Sequence, residues 1–438
     1  MRFWIGAQGA DMGGEADGIT AIAAGEPDSP LAGGALADRG LAAAAPSPSW
    51  LAAHPAHDVV YAALEGAQQV AAYRRTGDAM LEPLGDPVPA GDAVCHVAVS
   101  PDGSRLIASC WGDGRVVVVP LRSGGALGAP TIAPAAIDPY SAAGAAPDWA
   151  GTGVDLAERR REQEAVVAEI AADQGAAAAE LPSGFLVPGA ADVESLLAGA
   201  EPGPAPDERL EAAAESAALA LLADAQRDAA AESAQPAEPA AERSSRAHTA
   251  VFLPDGRVAT TDLGFDLVRI WRQGPEGLVP DHEVVLPFGT GPRHVVLHPS
   301  GHLHVITELS CEVWTLAQGP DGRWRVRASV ALGALAGDTA AELAAGHDRA
   351  FLYGGLRGSD TISVLRVAGD GDRLEPVALV ESGIRLPRHH VLVRDALVVA
   401  GQASNELASL PVDTRTGVPG SVRRRLETPS PQHILPAR

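Results

Sequence analysis

Lysine is absent. All 33 basic residues are arginine, which removes Schiff-base chemistry and any lysine nucleophile. Cysteine is scarce: Cys95, Cys110 and Cys311 are too few and too scattered for a disulfide framework or a zinc knuckle. No run of 18 apolar residues occurs, so no segment is expected to span a membrane. Positive charge is short as well. The formal net charge is −23, and a nucleic-acid partner is not expected, because binding one needs a basic footprint that displaces counterions. The start, Met1-Arg2-Phe3-Trp4-Ile5-Gly6, lacks the uninterrupted apolar core of a signal peptide and reads as a first strand. A cytoplasmic location is therefore expected.

The chain has ample material for a core, with 46% apolar and 20% charged residues over 438 positions. Length alone suggests about three domains, but closed all-β architectures of repeated blades grow as one unit. Internal repeats decide between these. Short apolar strands end in tight turns at Ala53-His54-Pro55, Ser100-Pro101-Asp102-Gly103, Leu253-Pro254-Asp255-Gly256 and His298-Pro299-Ser300-Gly301. Weaker equivalents stand at Gly346-His347-Asp348 and Val393-Arg394-Asp395. Gly and Asp supply the backbone angles that such hairpins need.

The marks recur at spacings of 46 (Pro55 to Pro101), 45 (Pro254 to Pro299), 47 (to Gly346) and 48 (to Arg394). Six marks at this period predict propeller blades of four strands. The chain ends, residues 2–45 and 432–435, supply the seventh. The expected fold is an all-β, seven-bladed propeller closed by pairing of its N- and C-terminal strands, which leaves no exposed sheet edge at the seam.

One interval breaks the period. Pro101 to Pro254 is 153 residues, an excess of 107. The organisation read from this is 1–136 for blades 1–3, 137–243 for an insertion, and 244–438 for blades 4–7 with ring closure. The insertion holds 21 acidic and 6 basic residues, a net of −15. Segments 154–179 and 207–233 are rich in Ala and Glu and favour helix, and Gln235-Pro236-Ala237-Glu238-Pro239 reads as linker. The composition fits a partly disordered acidic segment or, alternatively, a helical lid or an oligomer contact. Such a connection opens on the face where inner strands begin.

Counting five residues back from each turn mark gives Trp50, His96, Thr249, His294, Ala341, His389 and His433, with His248 one step out of register. Inner strands run side by side around the axis, so residues at one level form a ring. The second strand of each blade returns to this face, and its end carries Glu65, Trp111 with Asp113, Asp262, Glu308, Arg357, or Gln402 with Asn405. Arg293 belongs here too. A mouth lined by His, Arg and carboxylate is the default site of a propeller.

These residues give the chain a resemblance to the seven-bladed propeller lactonase family, which includes propeller-type 6-phosphogluconolactonase and the carboxy-muconate lactonising enzyme. The motifs are Cys95-His96-Val97-Ala98-Val99-Ser100-Pro101-Asp102-Gly103, Arg246-Ala247-His248, Asp262-Leu263-Gly264-Phe265-Asp266, and Gly291-Pro292-Arg293-His294 followed by Glu308-Leu309. The resemblance implies a catalytic site on His248, Arg293, Glu308 and Arg357. Departures are Cys110-Trp111, where the family usually has Asn-Tyr, the missing Pro-Asp-Gly turn of blade 6, and the insertion.

The expected function is hydrolysis of a sugar-acid lactone, foremost 6-phosphogluconolactone. The alternatives are a muconate-type lactonising enzyme and a non-catalytic binding module. His248 or Glu308 would act as general base. Arg293 and Arg357 would hold an oxyanion, a phosphate or a carboxylate. His96, His294, Asp262 and His389 are the expected substrate-binding residues. The expected partner is a small anionic sugar lactone. No cofactor and no metal are expected: His302-Leu303-His304 puts two rings on one side of a strand, but so close to a turn the pair reads as solvated.

Overall fold

The computed structural model describes residues 1–25, 34–141, 243–275 and 277–437. The helices, linker and lid expected within 142–242 lie outside these residues. The described residues form seven antiparallel sheets in compact arrangement, each a path of four strands, one with a short extra strand. Two 3₁₀ turns, Ala10–Met12 and Ser123–Gly125, are the helical elements among the described residues. No helix among them is long and apolar enough to cross a membrane.

The strands form where short apolar runs meet residues that close a hairpin. Gly103, at φ +68°, donates its N–H to Ser100 O at 2.9 Å. Gly256 and Gly301 repeat this at Leu253 O and His298 O. The inner strands are Pro431–Ala437, Pro48–Ala53, Val94–Val99, Ala247–Phe252, Pro292–Leu297, Ala340–Ala345 and Pro387–Val393. We number the blades 1 to 7 in that order, and each inner strand packs on the next around the axis. Blade 1 closes the ring: Arg2–Ala7 pairs with Gly18–Ala24 on one edge and with Pro431–Ala437 on the other, Trp4 opposite Leu435.

The apolar faces of adjacent sheets meet between blades. Tyr61, Leu106 and Val117 fill the gap between blades 2 and 3. Val268, Val305 and Trp314 fill that between blades 4 and 5. Each fully buried side chain of this size contributes about 1.5–3 kcal/mol.

The feature that builds the site is a β-bulge near the start of every inner strand. In blade 2, Pro48 faces Leu64 and Trp50 faces Ala63, so Ser49 is the extra residue. By the same count Cys95, Arg388 and Gln432 are extra in blades 3, 7 and 1. In blades 4, 5 and 6, two residues oppose one: His248 and Thr249, Arg293 and His294, Ala341 and Glu342. A bulge breaks the in–out alternation of a strand and re-aims side chains. Seven bulges at one level bring residues of successive inner strands together at the axis.

Candidate active site

The bulges stack two layers of side chains on the axis. The outer layer lines a small cavity: Ser49, Cys95, His248, Arg293, Arg388 and Gln432 come from six bulges, Glu65 joins from just beyond the strand Val59–Leu64, and Trp50 and His294 form the base. The cavity's empty space, counting the part open to solvent, is ≈ 270 Å³.

The inner layer plugs the channel. The Trp50 indole lies 4.0 Å from His433, 4.6 Å from His96, 5.0 Å from His294 and 5.3 Å from His389, centroid to centroid. Glu342 completes it, accepting from His294 Nδ1 at 2.6 Å with His389 Nε2 at 3.5 Å. Ala341 therefore does not hold the ring position that the spacing predicts. In that blade Arg349 N donates to Gly346 O, as Gly103 N does to Ser100 O. His347, not Gly346, stands where Pro101 does, and the ring position falls on Glu342. His248, expected out of register, is in register with Arg293 in the outer layer.

Hydrogen bonds fix the charged groups of blades 5 and 6. Arg293 Nε donates to Glu308 Oε2 at 2.8 Å, and Arg357 Nη2 lies 2.9 Å from Glu308 Oε1. Arg293 Nη1 donates to His294 Nε2 at 3.3 Å. Because His294 gives its Nδ1 proton to Glu342, its Nε2 is the acceptor; one carboxylate thus sets the tautomer that positions Arg293. Burial would raise the Glu308 carboxyl, but Arg293, Arg357 and Arg388 outweigh it and hold the group below its usual range. Burial pulls Arg293 down to about 10, which leaves it charged at neutral pH.

His248 is buried, and its Nδ1 has no hydrogen-bond partner. Burial, then Arg293, His294 and Arg388, push its pKa well below the ordinary imidazole value, so it is neutral. Burial does the same for His96, His294, His389 and His433. Burial also raises the Cys95 thiol to about 12, which makes it inert as a nucleophile.

Of the eight residues singled out in the sequence, His248, Arg293 and His294 line the cavity, and Glu308 and Arg357 are bonded to its wall. His96 and His389 stand in the inner layer, against Trp50. Asp262 is not brought to the cavity. It is 1% exposed and caps the lead-in to its blade, accepting from Arg246 N at 2.8 Å, Phe265 N at 3.1 Å and the Ser245 hydroxyl. A carboxylate at a strand end commonly satisfies loop backbone in this way. His304 is not solvated: it is fully buried, with Nδ1 3.1 Å from Thr315 Oγ1. Among the described residues no group of three or more His, Cys, Asp or Glu side chains stands ready to hold a metal ion.

Sequence reading missed Arg388, Gln432 and Ser49. The signal was available. Arg388-His389 and Gln432-His433 repeat the Arg293-His294 pair one residue before the ring level, as do Cys95-His96 and Ser49-Trp50.

The comparisons with known proteins agree with this architecture. The family model described as "Lactonase, 7-bladed beta-propeller" matches residues 15–137 and 215–436. An uncharacterized protein of Staphylococcus aureus (strain bovine RF122 / ET3-1) is 32% identical over 171 residues, 37% of this chain and 50% of that protein. Its counterpart in strain USA300 matches over the same span and at the same identity. The chain spans about half the length of the curated relatives it matches. Among solved structures, the periplasmic gluconolactonase of Pseudomonas aeruginosa superposes with a TM-score of 0.66 at 19% identity, covering 100% of both chains. A Bacteroides fragilis protein provisionally named a 6-phosphogluconolactonase gives 0.68 at 15% identity, covering 99% of this chain and 96% of its own. At these identities the likeness is one of fold. With the family model matching well over half of its residues, the chain belongs to the seven-bladed β-propeller lactonase family.

Proposed function

We propose that this protein hydrolyses a sugar-acid lactone, with 6-phosphogluconolactone as the leading substrate, at the cavity on the propeller axis. The observation that carries the reading is the unpartnered Nδ1 of His248 on the same cavity as Arg293 and Arg388. Lactone opening needs a base for water, a positive group for the tetrahedral oxyanion and a proton for the departing alkoxide. His248 is neutral and free to accept. Glu308 is not free: both its oxygens are taken, one by each arginine. This division of labour makes His248 the base and Glu308 the clamp that aims Arg293 and Arg357.

In the first step water attacks the carbonyl carbon, its proton passes to His248 Nδ1, and the oxyanion forms against the guanidinium groups. In the second step the ring C–O bond breaks, and the leaving oxygen takes the proton back from His248. The low basicity of His248 is offset as the transition state develops negative charge beside it. Groups fixed before the reaction need no reorganisation during it, and the Arg293–Glu308–Arg357 clamp meets that condition.

The test is hydrolysis of 6-phosphogluconolactone and glucono-δ-lactone by the purified full-length chain, corrected for spontaneous opening. Arg293→Ala is expected to lower kcat by roughly 10²–10³-fold, the usual cost of losing an oxyanion donor. Hydrolysis of both lactones at the uncatalysed rate by the unaltered protein would refute the reading.

A further inference from the structure

The wall formed by blades 5 and 6 is internally bonded; the wall from blade 7 to blade 2 is not. From blade 7 through blade 1 to blade 2 the bulge residues are Arg388, Gln432 and Ser49, and Glu65 reaches in beside them. Arg388 has no hydrogen bond or ion pair among the described residues, whereas Arg293 and Arg357 are both tied to Glu308. Gln432 is 2% exposed, and neither its amide oxygen nor its amide nitrogen has a partner. Glu65 is 9% exposed with Oε2 unpartnered, and the buried Ser49 hydroxyl is unpartnered as well.

Each buried polar group left unmatched costs about 1–3 kcal/mol, so buried groups are nearly always paired. Three buried side chains with unmatched atoms, beside the half-buried Arg388, mark one wall of the cavity as a surface shaped for something it binds. Their chemistry states what that is. A carboxylate only accepts and calls for hydroxyl donors; an amide offers both donor and acceptor; a guanidinium fork matches phosphate or carboxylate. A ligand that satisfies all of them carries several hydroxyls and one anionic substituent.

We propose that Arg388, Gln432, Ser49 and Glu65 form a specificity subsite, with Arg388 binding the anionic substituent and the other three binding ring hydroxyls of a sugar-acid lactone. The proposal rests on the lactonase reading of the opposite wall. It disfavours an unsaturated diacid lactone, which has no hydroxyls and would set a carboxylate against Glu65.

The test compares kcat/KM for 6-phosphogluconolactone, glucono-δ-lactone and unhydroxylated δ-valerolactone in the full-length protein, with 6-phosphogluconate binding measured by calorimetry. Glu65→Gln should lower the preference for glucono-δ-lactone over δ-valerolactone at least tenfold. Gln432→Met, close in volume, should act in the same direction. Arg388→Gln should lower the preference for the phosphorylated over the plain sugar lactone at least tenfold and weaken 6-phosphogluconate binding to match. Preferences within twofold of the unaltered protein, in variants that retain its melting temperature, would overturn the subsite while leaving the lactonase reading intact. A protein that binds 6-phosphogluconate through Arg388 yet opens no lactone would support the subsite and end the lactonase reading.

Discussion

At the scale of single residues, the decisive contrast is between carboxylates of similar burial and different employment. Glu308 is clamped by two arginines and Glu342 by two histidines, whereas Glu65 Oε2 has no hydrogen-bond partner among the described residues. Asp262, the carboxylate that the sequence singled out for substrate, caps backbone instead. Residue type and strand position do not separate these cases, because each follows from what the neighbouring blade brings opposite. Glu342 makes a direct prediction. Its removal leaves the His294 and His389 N–H groups buried without an acceptor. Glu342→Ala should therefore cost about 1–3 kcal/mol of stability, read by denaturant unfolding, and should lower kcat through the loosened Arg293. Unchanged unfolding and kcat would show that the pair of histidines does not depend on this carboxylate.

At the scale of elements, the strand start with its bulge is the unit that makes the site. The period of the turns was legible, since Gly103, Gly256 and Gly301 each close a hairpin in the left-handed region where glycine is favoured. The bulges were not legible. A regular strand alternates sides, so alternation predicts one level per blade facing the axis and puts Arg388, Gln432 and Ser49 on the other parity. The turn of blade 6 lacks Pro-Asp-Gly, which shifts the ring position predicted from it by one residue and hides Glu342. Arg293, His248 and Glu308 stand out in the sequence because each lies in a motif at the start or just past the end of a strand.

The lead-in to blade 4 gives a prediction of its own. A Cβ on Gly264 would lie 1.9 Å from Ser244 O, in the segment that delivers His248. Gly264→Ala should push that lead-in aside, at a cost of about 1–3 kcal/mol, measured by denaturant unfolding, with kcat falling as His248 shifts. A variant with unaltered stability would show that the close approach is not a constraint.

At the scale of the molecule, five neutral histidines on one axis tie folding to pH. Burial is the first cause of the depressed pKa in His96, His248, His294, His389 and His433. The unfolded chain protonates them near 6.5, the folded chain only well below that. Between those limits the unfolded state binds more protons, so stability is full above 6.5 and is lost as pH falls through that window. The melting temperature should drop between pH 7 and pH 5, before the carboxylates titrate; a flat profile across that interval would mean that the histidines are not held neutral by the fold. The ring itself, closed by Arg2–Ala7 against Pro431–Ala437, is what holds seven bulges at one level.

The account stands most directly on His248 as the base of a lactone-opening site. The deciding measurement is kcat/KM for 6-phosphogluconolactone in the unaltered protein and in His248→Ala side by side. A fall of roughly 10²–10⁴-fold, the usual worth of a positioned base, is the predicted result. Equal rates in the two proteins would contradict it.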